Sequence, residues 1–318
     1  MFNSTHTFVG LLVAQTGAGK WARYGAWTAV IASNLPDIDS VVGFWGTATY
    51  LEHHRGITHT LIGTPILALL LACVMSIFSG NFGKTYAIAL IAMATHPALD
   101  YLNPYGVRPF LPLNDSWYYG DLVFIFDPFL DLILVIGILA GMLRPRFRHV
   151  AAWSCMALAT AYIGVRIQLH RDAELKLEQL VADFPAVEHL SVLPQFGNLM
   201  TWDGIVKSDE RIARYDVAPF RSDRFVPSTL PPANFTAFRA ASSTIVDSAA
   251  ASKSAAALLC FARFPMVRVE AIPDGHRVTF MDFRFYREIA NTALAAEVVL
   301  DRSGRVVKED LSFVQAMN

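Results

Sequence analysis

His53-His54-Arg55-Gly56-Ile57-Thr58-His59-Thr60 is the stretch of sequence that decides the expected fold, because it brings three imidazoles and a guanidinium into eight residues. An apolar run, residues 61–78, follows it directly. Ionisable side chains at a membrane segment usually serve a functional site rather than packing. We therefore expect a membrane protein with a metal centre at the ends of its apolar helices.

Composition divides the chain into two parts. Of its 318 residues, 54% are apolar and 17% are charged, whereas about 25% are charged in an ordinary globular domain. Residues 1–168 are strongly apolar, and residues 169–318 have the composition of a soluble domain. We expect a membrane-embedded, metal-binding helical domain at 1–168 and an extracytoplasmic α+β domain at 169–318.

Charge, cysteine content and motifs exclude several classes of protein. The formal net charge is −1 and the basic residues form no stripe, so nucleic acid is not an expected partner. The cysteines Cys73, Cys155 and Cys260 are too far apart in sequence to suggest a disulfide framework or a cysteine zinc motif. The N-terminus lacks the pattern of a removable signal peptide. There is no nucleophile elbow, P-loop or dinucleotide fingerprint.

Four apolar segments approach the length of about 20 residues that a membrane helix needs. They are residues 61–78, 85–102, 122–143 and 150–167. Two shorter segments, residues 5–19 and 22–35, precede them. Any one segment also fits a buried helix of a soluble protein, but the succession favours a membrane α-helical bundle of about four to six apolar helices.

Basic residues set the expected orientation, because cytoplasmic loops of membrane proteins are enriched in Lys and Arg. With six segments, one side holds the connections that carry Lys20, Arg23, Lys84, Arg144, Arg146 and Arg148. The opposite side then holds the candidate ligands and everything after residue 168. Four other basic residues weaken this charge asymmetry between the two sides: Arg55, Arg108, Arg166 and Arg171. We expect a multi-pass protein of the inner (plasma) membrane, with its site on the extracytoplasmic side.

The C-terminal part alternates strand-like runs with turn residues. Residues 171–184 suit an amphipathic helix, and residues 236–262, rich in Ala and Ser, predict another. The strand-like runs are residues 199–207, 211–218, 265–272, 276–286, 293–300 and 305–314. Turn residues at 273–275 and 301–304 separate paired runs. This pattern predicts a small soluble α+β domain with an antiparallel sheet.

Two pairs of residues have metal-ligand spacing. His96 and Asp100 are four residues apart, so a helix places both side chains on one face. The alternative is a His–Asp hydrogen bond that ties helices together. Asp37 and Asp39 are two residues apart, and alternate residues of an extended segment point the same way. Their alternative is a helix cap with a solvated turn.

The motif itself supplies more candidates. His54 and His59 are expected metal ligands, with His59 at the start of an apolar segment. Arg55 suits an anionic oxygen, which a guanidinium binds in a bidentate manner; a contact with a lipid headgroup is an equal alternative. His53 is either a donor behind the site or simply exposed.

Acidic residues further along complete the candidate set. Asp127 precedes Pro128 within an apolar run, and a buried carboxylate there needs a cation or hydrogen-bond donors. Asp131 lies one helical turn later. Asp121 fits either the site or a surface loop, and His6 opens the first apolar segment.

The motifs resemble those of the LexA-regulated, membrane-bound metal-dependent hydrolases, the YdjM-like family. The resemblance covers residues 1 to about 145. It is carried by His6, Leu35-Pro36-Asp37-Ile38-Asp39, His54-Arg55-Gly56-Ile57-Thr58-His59, His96-Pro97-Ala98-Leu99-Asp100-Tyr101-Leu102-Asn103-Pro104-Tyr105-Gly106, Trp117-Tyr118-Tyr119-Gly120-Asp121 and Phe126-Asp127-Pro128. A remote similarity of the family to the zinc-dependent phospholipase C and nuclease superfamily implies phosphoester hydrolysis at a multi-zinc centre.

Imidazoles and carboxylates without thiolates suit Zn²⁺ first, with Mn²⁺ or Fe²⁺ as alternatives. The candidates outnumber the ligands of one ion, so we expect two or more ions. The expected metal ligands are His6, Asp37, His54, His59, His96, Asp100 and Asp127. The expected catalytic residues are Arg55, Asp39 and Asp121.

The sequence therefore predicts a membrane-bound metallohydrolase that cleaves a phosphoester or phosphodiester bond in a phospholipid or another lipid-linked substrate. The lipid bilayer is its expected partner. A metal transporter or sensor without hydrolytic activity has the same ligands and stays open as an alternative. A third hypothesis is a structural His/Asp network that binds no metal.

Overall fold

The computed structural model describes residues 1–208, 211–220, 226–232, 234–241, 243–286 and 292–315. The chain divides into two compact units. Unit one consists of Met1–Ser40, Arg55–Asp172 and Leu193–Thr201. Unit two consists of Val41–His54, Ala173–Val192 and Trp202–Asn318. Each unit is thus assembled from segments that are separate in the sequence.

The described helices are, in chain order, α1 (Asn3–Gln15), α2 (Gly25–Asn34), α3 (Thr47–His53), α4 (Gly63–Ser79), α5 (Phe82–Tyr101), α6 (Pro128–Leu143), α7 (Arg148–Leu180), α8 (Thr244–Ala250) and α9 (Lys253–Phe261). Two 3₁₀ segments carry site residues: Leu35–Trp45 and Ile57–His59. The extended segment expected around Asp37 and Asp39 is therefore wrong, because these residues lie in the first of them.

The expectation of four to six apolar spanning helices is wrong. Among the described residues, one helix is long and apolar enough to cross a membrane, namely Pro145–Leu180, which consists of a 3₁₀ turn and α7. The number rises to three if each of two bent pairs is one span: Thr47–His59 with Gly63–Ser79, and Thr244–Ala250 with Lys253–Phe261. The expected orientation was derived from the basic residues between six spanning segments, so this count no longer supports it.

Two of the apolar runs predicted helices that are longer than the observed ones, for a physical reason. The run 122–143 becomes helical only at Pro128, after the cap Asp127, and the run 61–78 becomes helical only at Gly63, shortly after the 3₁₀ helix Ile57–His59. α6 therefore has 16 residues and α4 has 17. The runs 150–167 and 171–184, in contrast, merge into α7, which continues to Leu180.

Small side chains let the helices of unit one approach one another. α1 packs on α2, and α5 packs on both α2 and α4. At Gly10 a Cβ atom would lie 2.2 Å from Ser33 Oγ, so α1 and α2 are in direct contact there. The core between these helices contains the fully buried alanines Ala29, Ala32, Ala68, Ala89 and Ala92. This packing brings the start of α1 and the ends of α2 and α5 together.

Unit two contains two sheets, so the predicted antiparallel sheet structure is confirmed. The strands are β1 (Val187–Pro194), β2 (Trp202–Ser208), β3 (Arg211–Val217), β4 (Pro227–Thr229), β5 (Thr236–Ala237), β6 (Pro265–Ile272), β7 (Gly275–Asp282), β8 (Thr292–Asp301) and β9 (Val306–Gln315). The sheets have the orders β1-β2-β3-β4 and β5-β6-β7-β8-β9. In the second sheet Val278 is opposite Val269 on one side and Val298 on the other.

One local expectation in unit two was wrong, and one strand was missed. The helix predicted for residues 236–262 is divided into α8 and α9, because the hydroxyls of Ser243 and Ser252 each cap a new helix start. Strand β1 lies in a stretch that the sequence pattern did not identify. The turns at 273–275 and 301–304 do connect antiparallel neighbours, as expected.

Candidate metal centre

Four predicted residues of unit one form one group: Asp37, His59, His96 and Asp100. Each offers a ligand atom, and these four atoms lie within 4.8 Å of one another. His59, His96 and Asp100 are at most 1% exposed, and the side chain of Asp37 is 14% exposed. They come from a 3₁₀ helix, the motif before α4, and the end of α5, so the fold brings together three distant parts of the chain.

The distances within this group suit a small tetrahedral ion. Asp37 Oδ1 lies 3.4 Å from His59 Nε2 and 3.3 Å from His96 Nε2. Asp100 Oδ2 lies 3.5 Å and 3.7 Å from the same two nitrogens. Ligand atoms about 2.0–2.1 Å from a tetrahedral Zn²⁺ are roughly 3.3–3.4 Å apart. The residues present therefore fit the implied metal.

The tautomer of His96 supports the same conclusion. Its Nδ1 lies 2.7 Å from the carbonyl oxygen of Ser33, which can only accept, so Nδ1 carries the hydrogen and donates it. Nε2 of the neutral ring then presents a lone pair to Asp37 and Asp100. In the described part of the chain this buried nitrogen has no hydrogen-bond partner. A lone pair facing two carboxylates is repulsive unless a cation lies between them.

His59 is oriented in the same way by its neighbours. The hydroxyl of Thr58 donates to Asp39 Oδ2 at 2.8 Å and lies 2.9 Å from His59 Nδ1. Because that hydroxyl has one hydrogen, it accepts from Nδ1. Asp39 Oδ2 also lies 3.4 Å from Nδ1. Asp37 and Asp39 thus contact opposite nitrogens of one imidazole, and Asp39 acts as the carboxylate behind a ligand.

The protonation states suit metal ligands. Burial raises the pKa of the Asp37 carboxyl, but its interactions with His59 and His96 lower it by a larger amount, so the net pKa is well below its usual range. Burial lowers the pKa of the His96 imidazole, and the neighbouring Asp37 carboxylate opposes that shift. Burial likewise holds the pKa of His6 well below its ordinary value, with His96 as the next cause. An ionised carboxylate beside neutral imidazoles is the state in which both types of side chain bind metal.

Arg55 holds the site rather than projecting from it. Its guanidinium is buried and donates to Asp100 Oδ1 at 3.0 Å and to Asn103 Oδ1 at 3.2 Å. A further hydrogen bond, 2.9 Å long, reaches the carbonyl oxygen of Gly106. The backbone N–H of Arg55 donates to Asp39 Oδ2 at 3.0 Å, from a residue with φ of 56°. Arg55 therefore fixes both a candidate ligand and the carboxylate behind His59.

Glycine is required at position 106 for this arrangement. Gly106 has φ of 79°, and a Cβ atom there would lie 2.5 Å from the ring of Tyr119. A side chain would displace the loop whose carbonyl oxygen receives Arg55.

His6 and the N-terminal amine adjoin the group without belonging to it. The His6 ring stacks on that of His96 with centroids 3.6 Å apart, and His6 Nε2 lies 3.5 Å from Asp100 Oδ1. Among the described residues neither ring nitrogen of His6 has a hydrogen-bond partner. The Met1 amine forms a short ion pair with the same carboxylate. His6 is the residue that would supply a nitrogen ligand to a second ion beside Asp100.

The structure does not bring the remaining candidates into the group. Asp127 caps α6: its Oδ1 accepts from the N–H groups of Phe129 and Leu130, and its Oδ2 accepts from the hydroxyl of Tyr162 at 2.8 Å. Both oxygens thus have structural partners. A residue directly before a proline at the first helical position commonly acts as such a helix cap. Asp121 is buried with φ of 54° and lies outside the group of four.

The other acidic and imidazole candidates have contacts of their own. Asp131, on α6, accepts a hydrogen bond of 2.6 Å from Thr5. His54 belongs to unit two, where its ring stacks on Tyr50 with centroids 4.6 Å apart. His53 is exposed at the end of α3. Metal binding by His54 and Asp127 therefore remains a prediction.

Sequence reasoning missed the residues that support the ligands. Thr58 and Asn103 lie inside the quoted motifs, so their polar side chains were a signal that could have been used. The carbonyl oxygens of Ser33 and Gly106 left no such signal, because every residue has a backbone carbonyl.

Comparison with known proteins agrees with the resemblance in the motifs. The model of the family "YdjM inner membrane protein" matches residues 1–171. The chain is also 22% identical over 296 residues to the "Uncharacterized protein YfhP" of Bacillus subtilis (strain 168), a match that covers 90% of this chain and 87% of that protein. No solved structure matches. The remote similarity to the phospholipase C and nuclease superfamily is not shown by these comparisons. Because the family match covers more than half of the 318 residues, the chain belongs to the YdjM inner membrane protein family.

Proposed function

We propose that this inner membrane protein is a metal-dependent hydrolase that cleaves a phosphoester or phosphodiester bond of a lipid-linked substrate. The observation that carries the proposal is the pair of imidazoles, His59 and His96, whose Nε2 atoms both face the carboxylates of Asp37 and Asp100 at 3.3–3.7 Å. Zn²⁺ is the ion we propose, with Mn²⁺ as the alternative, since the ligand set contains nitrogen and oxygen but no sulfur.

The protein groups have separate roles in this proposal. Asp37, His59, His96 and Asp100 hold the first ion, and His6 is the ligand available to a second one. Asp39 keeps the hydrogen of His59 on Nδ1, and Arg55 holds Asp100 in place. A bound divalent cation supplies Lewis-acid chemistry, which polarises a phosphoryl oxygen and lowers the pKa of water toward neutrality. Arg55 is a positioning residue here, and the catalytic role expected for Asp121 stays part of the proposal.

A lipid-linked substrate is supported by the apolar side chains beside the ligands. Ile38 lies between Asp37 and Asp39 and is 55% exposed, and Ile57, two residues before His59, is 54% exposed. Leu61, two residues after that histidine, is 67% exposed. Apolar side chains exposed beside a polar site are typical of contact with a membrane or an apolar ligand.

The test compares metal content and phosphatase activity of the purified protein. We expect stoichiometric metal in the wild type and its loss, together with activity on phosphate esters and phospholipids, in His59→Ala and Asp100→Ala. His276→Ala, a histidine in unit two, is the matched control and should keep both. Stoichiometric metal that persists unchanged in both site variants would refute the proposed centre.

Transport and sensing are distinguished by a second measurement. Bound metal without any phosphoesterase activity, combined with metal uptake into proteoliposomes, would replace the hydrolase by a transporter.

The side of the membrane is a further part of the proposal. Arg144, Arg146 and Arg148 lie at the start of the helix Pro145–Leu180, so the positive-inside rule puts this end in the cytoplasm and the chain after Leu180 outside. We propose that the metal centre faces the outside as well. Two exposed positions are suited to cysteine labelling in a cysteine-free background. Asn114 reports the side of unit one, which contains the metal centre, and Arg302 reports the side of the chain after Leu180. An impermeant maleimide that labels Arg302→Cys but not Asn114→Cys in whole cells would refute the position of the centre.

A further inference from the structure

Unit one has an end that lies away from the metal centre, where three connections between helices meet. The connections are residues 16–24, 80–81 and 144–147. A Cβ atom at Gly25 would lie 2.7 Å from the carbonyl oxygen of Gly19 and 2.9 Å from Ile88 Cδ1, so the first connection adjoins the beginning of α5. A Cβ atom at Gly17 would lie 3.4 Å from the ring of His149, at the start of α7. The turns between α1 and α2, α4 and α5, and α6 and α7 therefore share this end.

This end carries positive charge without carboxylates. Its basic residues, which we call the basic end, are Lys20, Arg23, Lys84, Arg144, Arg146 and Arg148. The acidic residues of unit one all lie outside the three connections: Asp37, Asp39, Asp100, Asp115, Asp121, Asp127, Asp131 and Asp172. Within the described part of the chain, none of the six cations forms an ion pair. Lys84 precedes the candidate ligand His96 by twelve residues of α5, which is about 18 Å, so the basic end is a surface of its own.

Exposed aromatic side chains lie among these cations. Trp21 and Tyr24 belong to the same connection as Arg23, and both are exposed. The guanidinium carbon of Arg23 lies 5.0 Å from the centroid of the Tyr24 ring. Phe147 follows Arg146 in the third connection and is exposed as well. Trp and Tyr are enriched where lipid meets water, and Lys and Arg are enriched on its cytoplasmic side. The basic end therefore has the composition of a surface that contacts lipid headgroups.

An apolar groove between α2 and α4 opens at the basic end. Its volume is about 260 Å³, and it is lined by Tyr24, Trp27, Ile31, Met75 and Phe78. Tyr24 is the residue that also contacts Arg23. Ile31 lies seven residues further along the chain, which is about 10 Å along α2, so the groove leads away from the charged residues. A cationic surface that continues into an apolar groove matches an amphiphile with an anionic headgroup.

We propose that the basic end and this groove bind an anionic phospholipid, with its phosphate at Lys20 and Arg23 and an acyl chain in the groove. Charge complementarity selects this occupant: a zwitterionic lipid brings no net charge to the six cations, and an acidic protein segment would leave the apolar groove unfilled. Basic surfaces beside membrane helices bind anionic headgroups in this way. The chain belongs to a family of inner membrane proteins, so it meets phospholipids in its own membrane. The proposal does not depend on the metal centre, because none of its residues is a candidate ligand.

The experiment measures quenching of tryptophan fluorescence in the full-length protein, purified in a non-ionic detergent, by phosphatidylglycerol with brominated acyl chains. Trp27 lines the groove, so a bound chain brings bromine beside it. Phosphatidylcholine with the same brominated chains tests the need for net charge, and we expect it to bind about tenfold more weakly. Lys20→Gln/Arg23→Gln should weaken binding of phosphatidylglycerol roughly twentyfold, from about fivefold for each cation. Phe78→Asp should also weaken it, through the groove.

Two control variants match these changes at other positions. Arg302→Gln/Lys308→Gln removes the same charges from exposed positions of unit two, and Ile136→Asp places a charge at an exposed apolar position of α6. Both should bind phosphatidylglycerol like the wild type, and melting temperatures equal to that of the wild type establish that the variants fold.

Three results would each overturn the proposal: equal affinity for the two lipids, a folded Lys20→Gln/Arg23→Gln variant that binds like the wild type, or equal effects of Phe78→Asp and Ile136→Asp. A soluble polyglutamate peptide that competes with phosphatidylglycerol and binds as tightly would replace the lipid by an acidic protein segment.

Discussion

Asp39→Asn should weaken metal binding without abolishing it, because Asp39 supports a ligand instead of contacting the ion. Asp39 Oδ2 accepts hydrogen bonds from Thr58 Oγ1 at 2.8 Å and from the Arg55 N–H at 3.0 Å. An asparagine oxygen can accept both, so the loop keeps its geometry. What the substitution removes is the negative charge 3.4 Å from His59 Nδ1.

The magnitude follows from the role of that charge. A carboxylate behind a ligating imidazole fixes its tautomer and raises its basicity, and its loss typically reduces metal affinity roughly 10–100-fold. This corresponds to about 1.4–2.8 kcal/mol. Asp39→Ala should cost more, because the hydroxyl of Thr58 and the N–H of Arg55 then lose their acceptor as well.

The assay is competition between the purified protein and a chelating dye of known zinc affinity. Asp115→Asn, an exposed residue of the same unit, is the matched control and should leave the affinity unchanged. His59→Ala marks the affinity expected when a direct ligand is lost. If Asp39→Asn binds zinc as tightly as the wild type, Asp39 has no influence on His59. If it binds as weakly as His59→Ala, Asp39 is itself a ligand, and the assignment is wrong.

Three further predictions follow from the same geometry. Removal of metal by a chelator should lower the melting temperature by roughly 10 °C, since an ion at about 1,000 times its Kd contributes about 4 kcal/mol; an unchanged melting temperature would favour a network without metal. Arg55→Lys should weaken zinc affinity but leave inhibition by inorganic phosphate unchanged, because it loses the hydrogen bonds to Asn103 and Gly106; a change in the inhibition constant alone would instead make Arg55 a substrate ligand. Asp127→Ala should cost about 1–2 kcal/mol of stability, measured by chemical denaturation, and keep full metal content, because it removes the cap of α6; a metal-depleted variant would restore Asp127 as a ligand.

Residue types and spacing were sufficient to select four residues that the fold brings together. His96 and Asp100 share a helix face because of the helical period, and the density of imidazoles before residue 61 identified His59. Asp37 was identified although its local structure was predicted wrongly, since it lies in a 3₁₀ helix and not an extended segment. For Asp37, the residue type and its spacing thus identified the candidate ligand even though the predicted backbone conformation was wrong.

The sequence is least informative where two explanations share one pattern. Asp127 before Pro128 also has the pattern of a helix cap, which the structure shows it to be, and its metal binding stays a prediction. The apolar runs also concealed where each helix begins. Residues 122 and 123 donate their N–H groups to the carbonyl oxygen of Leu102, so they belong to the loop after α5 and not to a span. Only tertiary contacts reveal such a boundary.

Proton counting separates a metal centre from a network of hydrogen bonds. His96 uses its Nδ1 hydrogen for Ser33, and His59 uses its own for Thr58. Without a metal, each Nε2 atom could face a carboxylate favourably only through a further hydrogen, on the ring or on the carboxyl group, in a buried cluster with Asp37 and Asp100. Burial disfavours the charged form of His96, as the direction of its pKa shift indicates. A divalent cation between the Nε2 atoms and the carboxylates would accept both ring lone pairs without any further hydrogen, so metal binding is the hypothesis that this geometry supports best.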